Sequence, residues 1–285
     1  MNEWPDKQPD PESGNEIREG YGKNVEVSAI FMRHGEKALS EETGETGLTE
    51  KGQEMSKDFG RKLIKKDAIK PYSSGTDRTI ESVESAVNSS PTNHRLKLRI
   101  RDDLGIGYNP KAPFFKNLFT QIRPGILGAN FSMLSSAEQD ELLQKYQTLQ
   151  HDSYLAHRQR PDEGTQAPLE LAAGIARRVK TYIKMADRIN SGSKVDLLNG
   201  THDLVIAAFL KEVIIRTVDG KEVKGFSSVK EIGGPIGYNE SFTVRILTDE
   251  HGEKEVVLLF RDQEFKIDME RLTELSATEK PKNIK

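Results

Sequence analysis

Three short segments of this 285-residue chain carry side chains suited to moving a charged group. Arg33-His34-Gly35-Glu36 ends one apolar run, Ser73-Ser74-Gly75-Thr76-Asp77-Arg78 follows a second, and Thr201-His202-Asp203 follows a third. If they share one end of a sheet, two arginines, two histidines and a carboxylate converge there. An arginine fork matches phosphate oxygens bidentately and stays charged at every relevant pH. A neutral imidazole is a competent nucleophile toward phosphorus, and a second, protonated one can bind the transferring group. A nearby carboxyl group can protonate the leaving oxygen. With arginines and His202 supplying positive charge, this chemistry needs no metal and no cofactor.

The surrounding pattern says how these segments are positioned. Residues 25–32 are short, apolar and β-branched enough for a central strand. Thr49 suits the N-cap of a helix on which Met55, Phe59 and Leu63 share a face, and residues 71–75 turn into a second helix with Ile80, Val83 and Val87 aligned. Leu96, Leu98 and Ile100 alternate as in a half-buried strand. Pro168 opens a long helix that turns Ala172, Ile175, Ala176, Val179, Ile183 and Ala186 inward. Residues 195–198 form a short strand, and His202 starts a helix running to 213–215. Phe242, Val244 and Ile246 lead through a His251-Gly252 turn into 256–260, a hairpin on or near an edge. The alternation predicts an α/β fold: a mostly parallel sheet with helices on both faces. Ligands of such sheets bind beyond the carboxyl ends of the strands, here just after residues 32, 72, 100 and 198.

Arg33-His34-Gly35-Glu36 after an apolar strand resembles the signature of the histidine phosphatase superfamily, the phosphoglycerate mutase-like fold. Gly47-Leu48-Thr49-Glu50-Lys51-Gly52 is similar to that family's Leu-Thr-x-x-Gly start of its first helix. Ser73-Ser74 with Arg78, Thr79 and Glu81-Ser82-Val83 resembles its second arginine motif, and Thr201-His202 its second histidine motif. The matches fall in family order over roughly residues 25–215.

The resemblance implies a three-layer sandwich in which His34 is the nucleophile that becomes a phosphohistidine. Arg33, Arg78 and His202 would hold the phosphoryl group. Lys37 would add charge to its binding, at the place where one branch of the family has an arginine. Two residues are candidates for the proton donor. Asp102, in Ile100-Arg101-Asp102, falls where one branch has Leu-x-Glu; Asp203 follows His202 as in the other branch's His-Asp pair, and is preferred. Leu39 and Ser40 stand where the two branches have Pro and Asn, and residues 38–47 do not resemble the longer stretch of the mutases. The reading is a metal-independent phosphomonoester hydrolase acting on a small phosphorylated substrate. The alternatives are a catalytically idle phospho-ligand binder and a phosphoglycerate-type mutase. Since His34 must be neutral to attack, activity should fall in acid.

Composition removes other classes. Forty-two Lys and Arg against 45 Asp and Glu give a net charge of −3, without the global basic field of a sequence-independent nucleic-acid binder. With no cysteine there is no disulfide, thiolate metal site or Cys nucleophile. No run approaches the ~20 apolar residues of a membrane span, and the polar N-terminus is unlike a secretory signal, so a cytoplasmic protein is expected. Residues 1–24 read as a tail, 25–268 as one domain and 269–285 as a second tail. Residues 104–166 are too long for an ordinary connection and read as a lid-like insert rich in aromatics and arginines. His94, His151, His157 and His251 lack metal-ligand spacing and are expected at the surface. Residues 233–237 read as a turn before the hairpin, Glu36 is left out of the chemistry, and the oligomeric state is open.

Overall fold

A computed structural model describes residues 20–38, 47–107 and 112–279. Its first elements are β1 (Glu26–Arg33), α1 (Glu50–Lys62), β2 (Ala68–Ser73), α2 (Asp77–Ser89) and β3 (Arg99–Ile100). Then come α3 (Pro113–Asn117), α4 (Arg123–Leu127), α5 (Ser136–Leu155), α6 (Pro168–Ala186), β4 (Lys194–Thr201) and α7 (Asp203–Val213). The chain finishes with β5 (Ile214–Val218), β6 (Lys221–Lys224), β7 (Ser241–Thr248), β8 (Lys254–Phe260), β9 (Gln263–Ile267) and α8 (Met269–Ala277). The strands form one sheet in the order β3-β2-β4-β1-β7-β8-β9-β5-β6.

The expectation of a mostly parallel sheet needs correcting. Only β1–β4, β2–β4 and β2–β3 run parallel; the five pairs from β1–β7 outward are antiparallel. Parallel neighbours need a crossover, and the first half of the chain supplies one with each helix. After β7 the links are tight turns, such as Arg261-Asp262 with φ of 50° and 57°, the conformation of a two-residue hairpin. The β7–β8 hairpin is also not an edge feature, because β7 pairs along β1 in the middle of the sheet.

β1 is buried on both faces. Val27, Ala29 and Phe31 join the core under α6 and α7, whereas Ile30 and Met32 pack with Val83, Ala86 and Val87 of α2. On α1 the fully buried residues are Gly52, Ser56 and Gly60, while Met55, Phe59 and Leu63 are half-buried. A Cβ on Gly60 would lie 2.0 Å from the Ala86 carbonyl, so α1 and α2 touch backbone to backbone. The expected third strand shrinks to the two exposed residues of β3, with Leu96 and Leu98 outside it.

The 104–166 stretch is largely helical. α3 and α4 are joined by a π turn over Leu118–Ile122, and α5 is 20 residues long with a Ser135–Glu138 capping box. The end of α5 is fastened to the body: Lys211 donates to the Leu155 carbonyl at 2.7 Å, and Asp152 accepts from Ser228 Oγ and Val229 N.

The segment read as a C-terminal tail begins with α8, whose Leu272 and Leu275 are buried in the main core because they recur on one helical face. Residues 280–285 of that segment lie outside the described residues, as do residues 1–19 of the N-terminal one and Leu39 and Ser40. Residues 21–24 are docked, with Tyr21 bridging Asn190 and Asn24 N bonded to Asp249 O. Among the described residues no helix is long and apolar enough to cross a membrane.

Candidate active site

The register puts the three motifs side by side. Arg33 is level with Thr201 and Ser73 with Gly200, so β1, β4 and β2 end together, and His34 N and Ser74 N continue the ladders onto Thr201 O and Gly200 O. The turn after β1 is pressed against the start of α1. A Cβ on Gly35 would lie 2.6 Å from Gly52 O, and one on Gly52 would lie 2.2 Å from Glu36 O. The glycines of the two motifs are thus required by close approach. Glu36 serves this junction: it accepts from Thr49 Oγ1 and pairs with Lys51, while Thr49 caps α1 by accepting from Gly52 N. Ser82 of α2 ties in the same turn, accepting from Gly35 N at 2.8 Å and donating to Arg78 O.

His34 is 5 % exposed, and its ring stands 5.4 Å from that of His202, edge to face. Its Nδ1 lies 2.7 Å from the Gly35 carbonyl, which can only accept, so Nδ1 carries the proton. Nε2 keeps its lone pair. Burial first, then the positive charges of Arg33 and Arg78, push this imidazole down to about 3 against the help of Asp203. His34 is therefore a neutral base at ordinary pH.

His202 has the opposite tautomer. It is the N-cap residue of α7, 3 % exposed, and its Nε2 lies 3.1 Å from Ser74 Oγ. Thr79 Oγ1 gives its hydrogen to the Thr76 carbonyl, so it accepts from Ser74 and from Ser73. Ser74, having donated to Thr79, accepts from His202, whose Nε2 is thus an N–H donor. Burial and the charges of Arg78 and Arg33 lower His202 well below the ordinary histidine value. The sequence reading has this imidazole bind while protonated; in the structure it is neutral and still donates, because desolvation among cations suppresses its charge.

Arg33 is held on three sides. It donates to the Ile236 carbonyl at 2.5 Å, pairs with Asp203 at 3.2 Å and lies 4.2 Å over the Tyr238 ring. Residues 233–237 are therefore more than a turn. They deliver the Ile236 carbonyl, and Arg261 holds them by donating to Ile232 O, Gly234 O and Pro235 O and pairing with Glu240. Gly233 ends the preceding turn at φ 92°, where a side chain would be strained. Asn239 bonds Ser56 Oγ and sends its backbone N–H to His34 O.

Burial would raise the Asp203 carboxyl, but the Arg33 guanidinium beside it and the Leu204 N–H bonded to it hold the group below the usual carboxylate range. Arg78 is half-buried, and its charge acts on His34, His202 and Lys37. Lys37 is exposed at the mouth, lowered by partial desolvation and by Arg78. Asp102 lies exposed on the turn after β3 and is not among the charges acting on His34. The arrangement brings together Arg33, His34, Lys37, Arg78, His202 and Asp203.

Sequence reasoning missed Tyr238, whose only signal is an aromatic after a Gly-Pro turn, and the Ile236 carbonyl, which as backbone has none. It also put His151 at the surface. His151 is fully buried on α5, within reach of the charges of Asp203 and Arg33, because that helix packs on α7.

Residues 29–105 match the model of the histidine phosphatase superfamily (branch 1), a stretch that takes in Arg33, His34, Arg78 and Asp102 and ends before His202. No curated protein matches the chain. Among solved structures, phosphoglycerate mutase from Bacillus anthracis is 16 % identical, with 89 % of this chain and 98 % of that one covered and a TM-score of 0.43. A mycobacterial glucosyl-3-phosphoglycerate phosphatase is 12 % identical over 80 % and 96 %, with a TM-score of 0.44. Phosphoserine phosphatase from Entamoeba histolytica, crystallised with phosphoserine, is 11 % identical over 81 % and 94 %, with a TM-score of 0.41.

Proposed function

We propose that the chain is a metal-independent phosphomonoester hydrolase working through a phosphohistidine. The observation that carries this reading is the pair of neutral imidazoles with opposite tautomers: a bare Nε2 on His34 facing its chemistry beside an Nε2–H on His202.

His34 Nε2 attacks phosphorus, a P–N bond forms and the bond to the leaving oxygen breaks. Arg33 and Arg78 stabilise the charge on the transferring oxygens, His202 joins them as its Nε2–H turns from Ser74 Oγ to a phosphoryl oxygen, and Lys37 adds to the field at the mouth. The departing oxygen takes a proton from a carboxyl group, Asp203 or Asp102. Asp203 is ionised while paired with Arg33. A phosphoryl dianion that engages Arg33 offsets this field and raises the proton affinity of Asp203. In the second half, water attacks the phosphohistidine, the carboxylate accepts its proton, and phosphate leaves with His34 restored.

The test is hydrolysis of p-nitrophenyl phosphate in excess EDTA by the wild type and by His34→Ala. Turnover that disappears in the variant, with an acid-labile phosphoenzyme trapped in the wild type alone, supports the reading. Saturable phosphate binding without turnover in the wild type would replace it with the idle binder, and transfer to an acceptor alcohol in preference to water would replace it with a mutase.

A further inference from the structure

Helix α5 brings two polar side chains toward Asp203 that the phosphoryl chemistry leaves unused. Tyr146 is 5 % exposed and His151 fully buried, and neither Tyr146 Oη nor His151 Nε2 has a hydrogen-bond partner among the described residues. Their hydrogen-bonding characters are fixed and complementary. His151 Nδ1 lies 2.8 Å from the Gln147 carbonyl and must donate to it, which makes Nε2 of the neutral ring an acceptor. Burial lowers this imidazole and so keeps it neutral, and burial raises the Tyr146 phenol, which keeps its hydrogen as a donor. Asp203 is the charged group that acts on both; Arg123 also acts on the phenol, and Arg33 and Asp152 on the imidazole. The helix is not free to swing these groups to water, because Asp152 is bonded to Ser228 and Val229 and the Leu155 carbonyl to Lys211.

A buried donor and a buried acceptor left unmade are unfavourable, and a native structure that keeps both next to a reaction centre needs a reason for them. We propose that Tyr146 Oη and His151 Nε2 form a leaving-group subsite that reads a neutral hydroxyl of the substrate's alcohol half. The phenol donates to the hydroxyl oxygen and the imidazole accepts the hydroxyl hydrogen. This rests on the hydrolase reading above. A plain aryl or alkyl group leaves both atoms unmade, and only a group that accepts from the phenol and donates to the imidazole satisfies both. The substrate class is the phosphate monoester of a polyol or sugar with a hydroxyl close to the scissile ester.

The test compares kcat/KM for glycerol 1-phosphate with that for propyl phosphate, which has the same primary ester and no hydroxyl, in the wild type, Tyr146→Phe and His151→Phe. With two net hydrogen bonds at stake the wild type should prefer the hydroxylated ester by roughly 100-fold, and Tyr146→Phe, which removes one, should cut this ratio about tenfold. The ratio is insensitive to general damage, and the near-isosteric Tyr146→Phe keeps the test valid if His151→Phe does not fold. A wild-type ratio near one, or a ratio unchanged in Tyr146→Phe, overturns the subsite. If the wild type hydrolyses neither ester nor p-nitrophenyl phosphate, the hydrolase reading falls first and the subsite with it. If His34-dependent p-nitrophenyl phosphate hydrolysis persists while the ratio stays unchanged, only the subsite is refuted.

Discussion

The Arg33 guanidinium and the Asp203 carboxylate stand 3.2 Å apart, and both come from strand ends that β-sheet pairing brings level. Arg33 is 7 % exposed and already bonded to the Ile236 carbonyl, so an incoming phosphate meets a cation whose direction is set before binding. The pair also makes the protonation of Asp203 depend on whether an anion engages Arg33.

That dependence separates the two carboxyl groups. Asp203→Asn should reduce kcat for an alkyl phosphate by about 10²- to 10⁴-fold, the range of general acid catalysis. The loss should be much smaller for p-nitrophenyl phosphate, whose leaving oxygen needs no proton. Asp102→Asn, on an exposed turn, should remain near the wild type with both esters. The reverse pattern would assign the proton to Asp102.

The acid limb of the rate should be displaced. His34 attacks as a neutral base and is held at about 3, so it remains unprotonated well below the ordinary histidine value of 6.5. After correction for the ester's own second ionisation near pH ~6, kcat/KM should show no loss that follows a group near 6.5. The fall expected from sequence belongs at about pH 3. A limb at 6 to 6.5 in the corrected profile would mean that the His34 pocket is wetter than its 5 % exposure implies.

Stability should change where activity does not. His34, His151 and His202 are all lowered in the folded chain, so below 6.5 the unfolded chain binds protons that the fold refuses. Stability from these groups is complete above about pH 6.5 and falls with acid down to the folded value. His34 alone accounts for about 2 kcal/mol by pH 5. Unfolding at pH 5 in buffers of different ionisation enthalpy should therefore reveal uptake of at least about one proton per chain from these imidazoles, that of His34. Uptake well below one would show that they are charged in the fold.

Gly52→Ala should impair both stability and rate. Its Cβ would meet the Glu36 carbonyl at 2.2 Å, which a backbone junction cannot absorb without moving the Arg33–Glu36 turn. The expected cost is roughly 1–3 kcal/mol, as for other overpacked sites. Thermal unfolding with kcat for p-nitrophenyl phosphate checks it, and an unchanged kcat would separate the α1 junction from the position of His34.

The strand ends were legible because β1 reads as an apolar run and β4 keeps Val195, Leu197 and Leu198, with the reactive residues following closely. The start of α1 was legible from Thr49. Its packing face was not, since Gly52, Ser56 and Gly60 are buried by backbone contact with α2, which hydrophobic periodicity does not register. Strand direction beyond β1 depended on turns such as Arg261-Asp262 that hold positive φ without glycine. α8 was missed because it is only nine residues long, with Leu272 and Leu275 as its buried anchors. The surface reading of His151 failed for a similar reason: what covers it is α7, far away in sequence.

β1 precedes both of its partners in the chain and lies near the centre of the sheet, between β4 and β7. Its partners are Lys194–Thr201 and Ser241–Thr248, so it leaves the ribosome with both hydrogen-bonding edges open. The nascent chain must therefore carry an incompletely paired apolar strand until β7 has emerged roughly 210 residues later, a period of about ten seconds or more at ordinary elongation rates. Packing of Ile30 and Met32 on α2 covers one face of β1 and cannot close the edge that β7 later covers. Slow, late closure of the sheet around an exposed apolar strand is the expected consequence of this strand order.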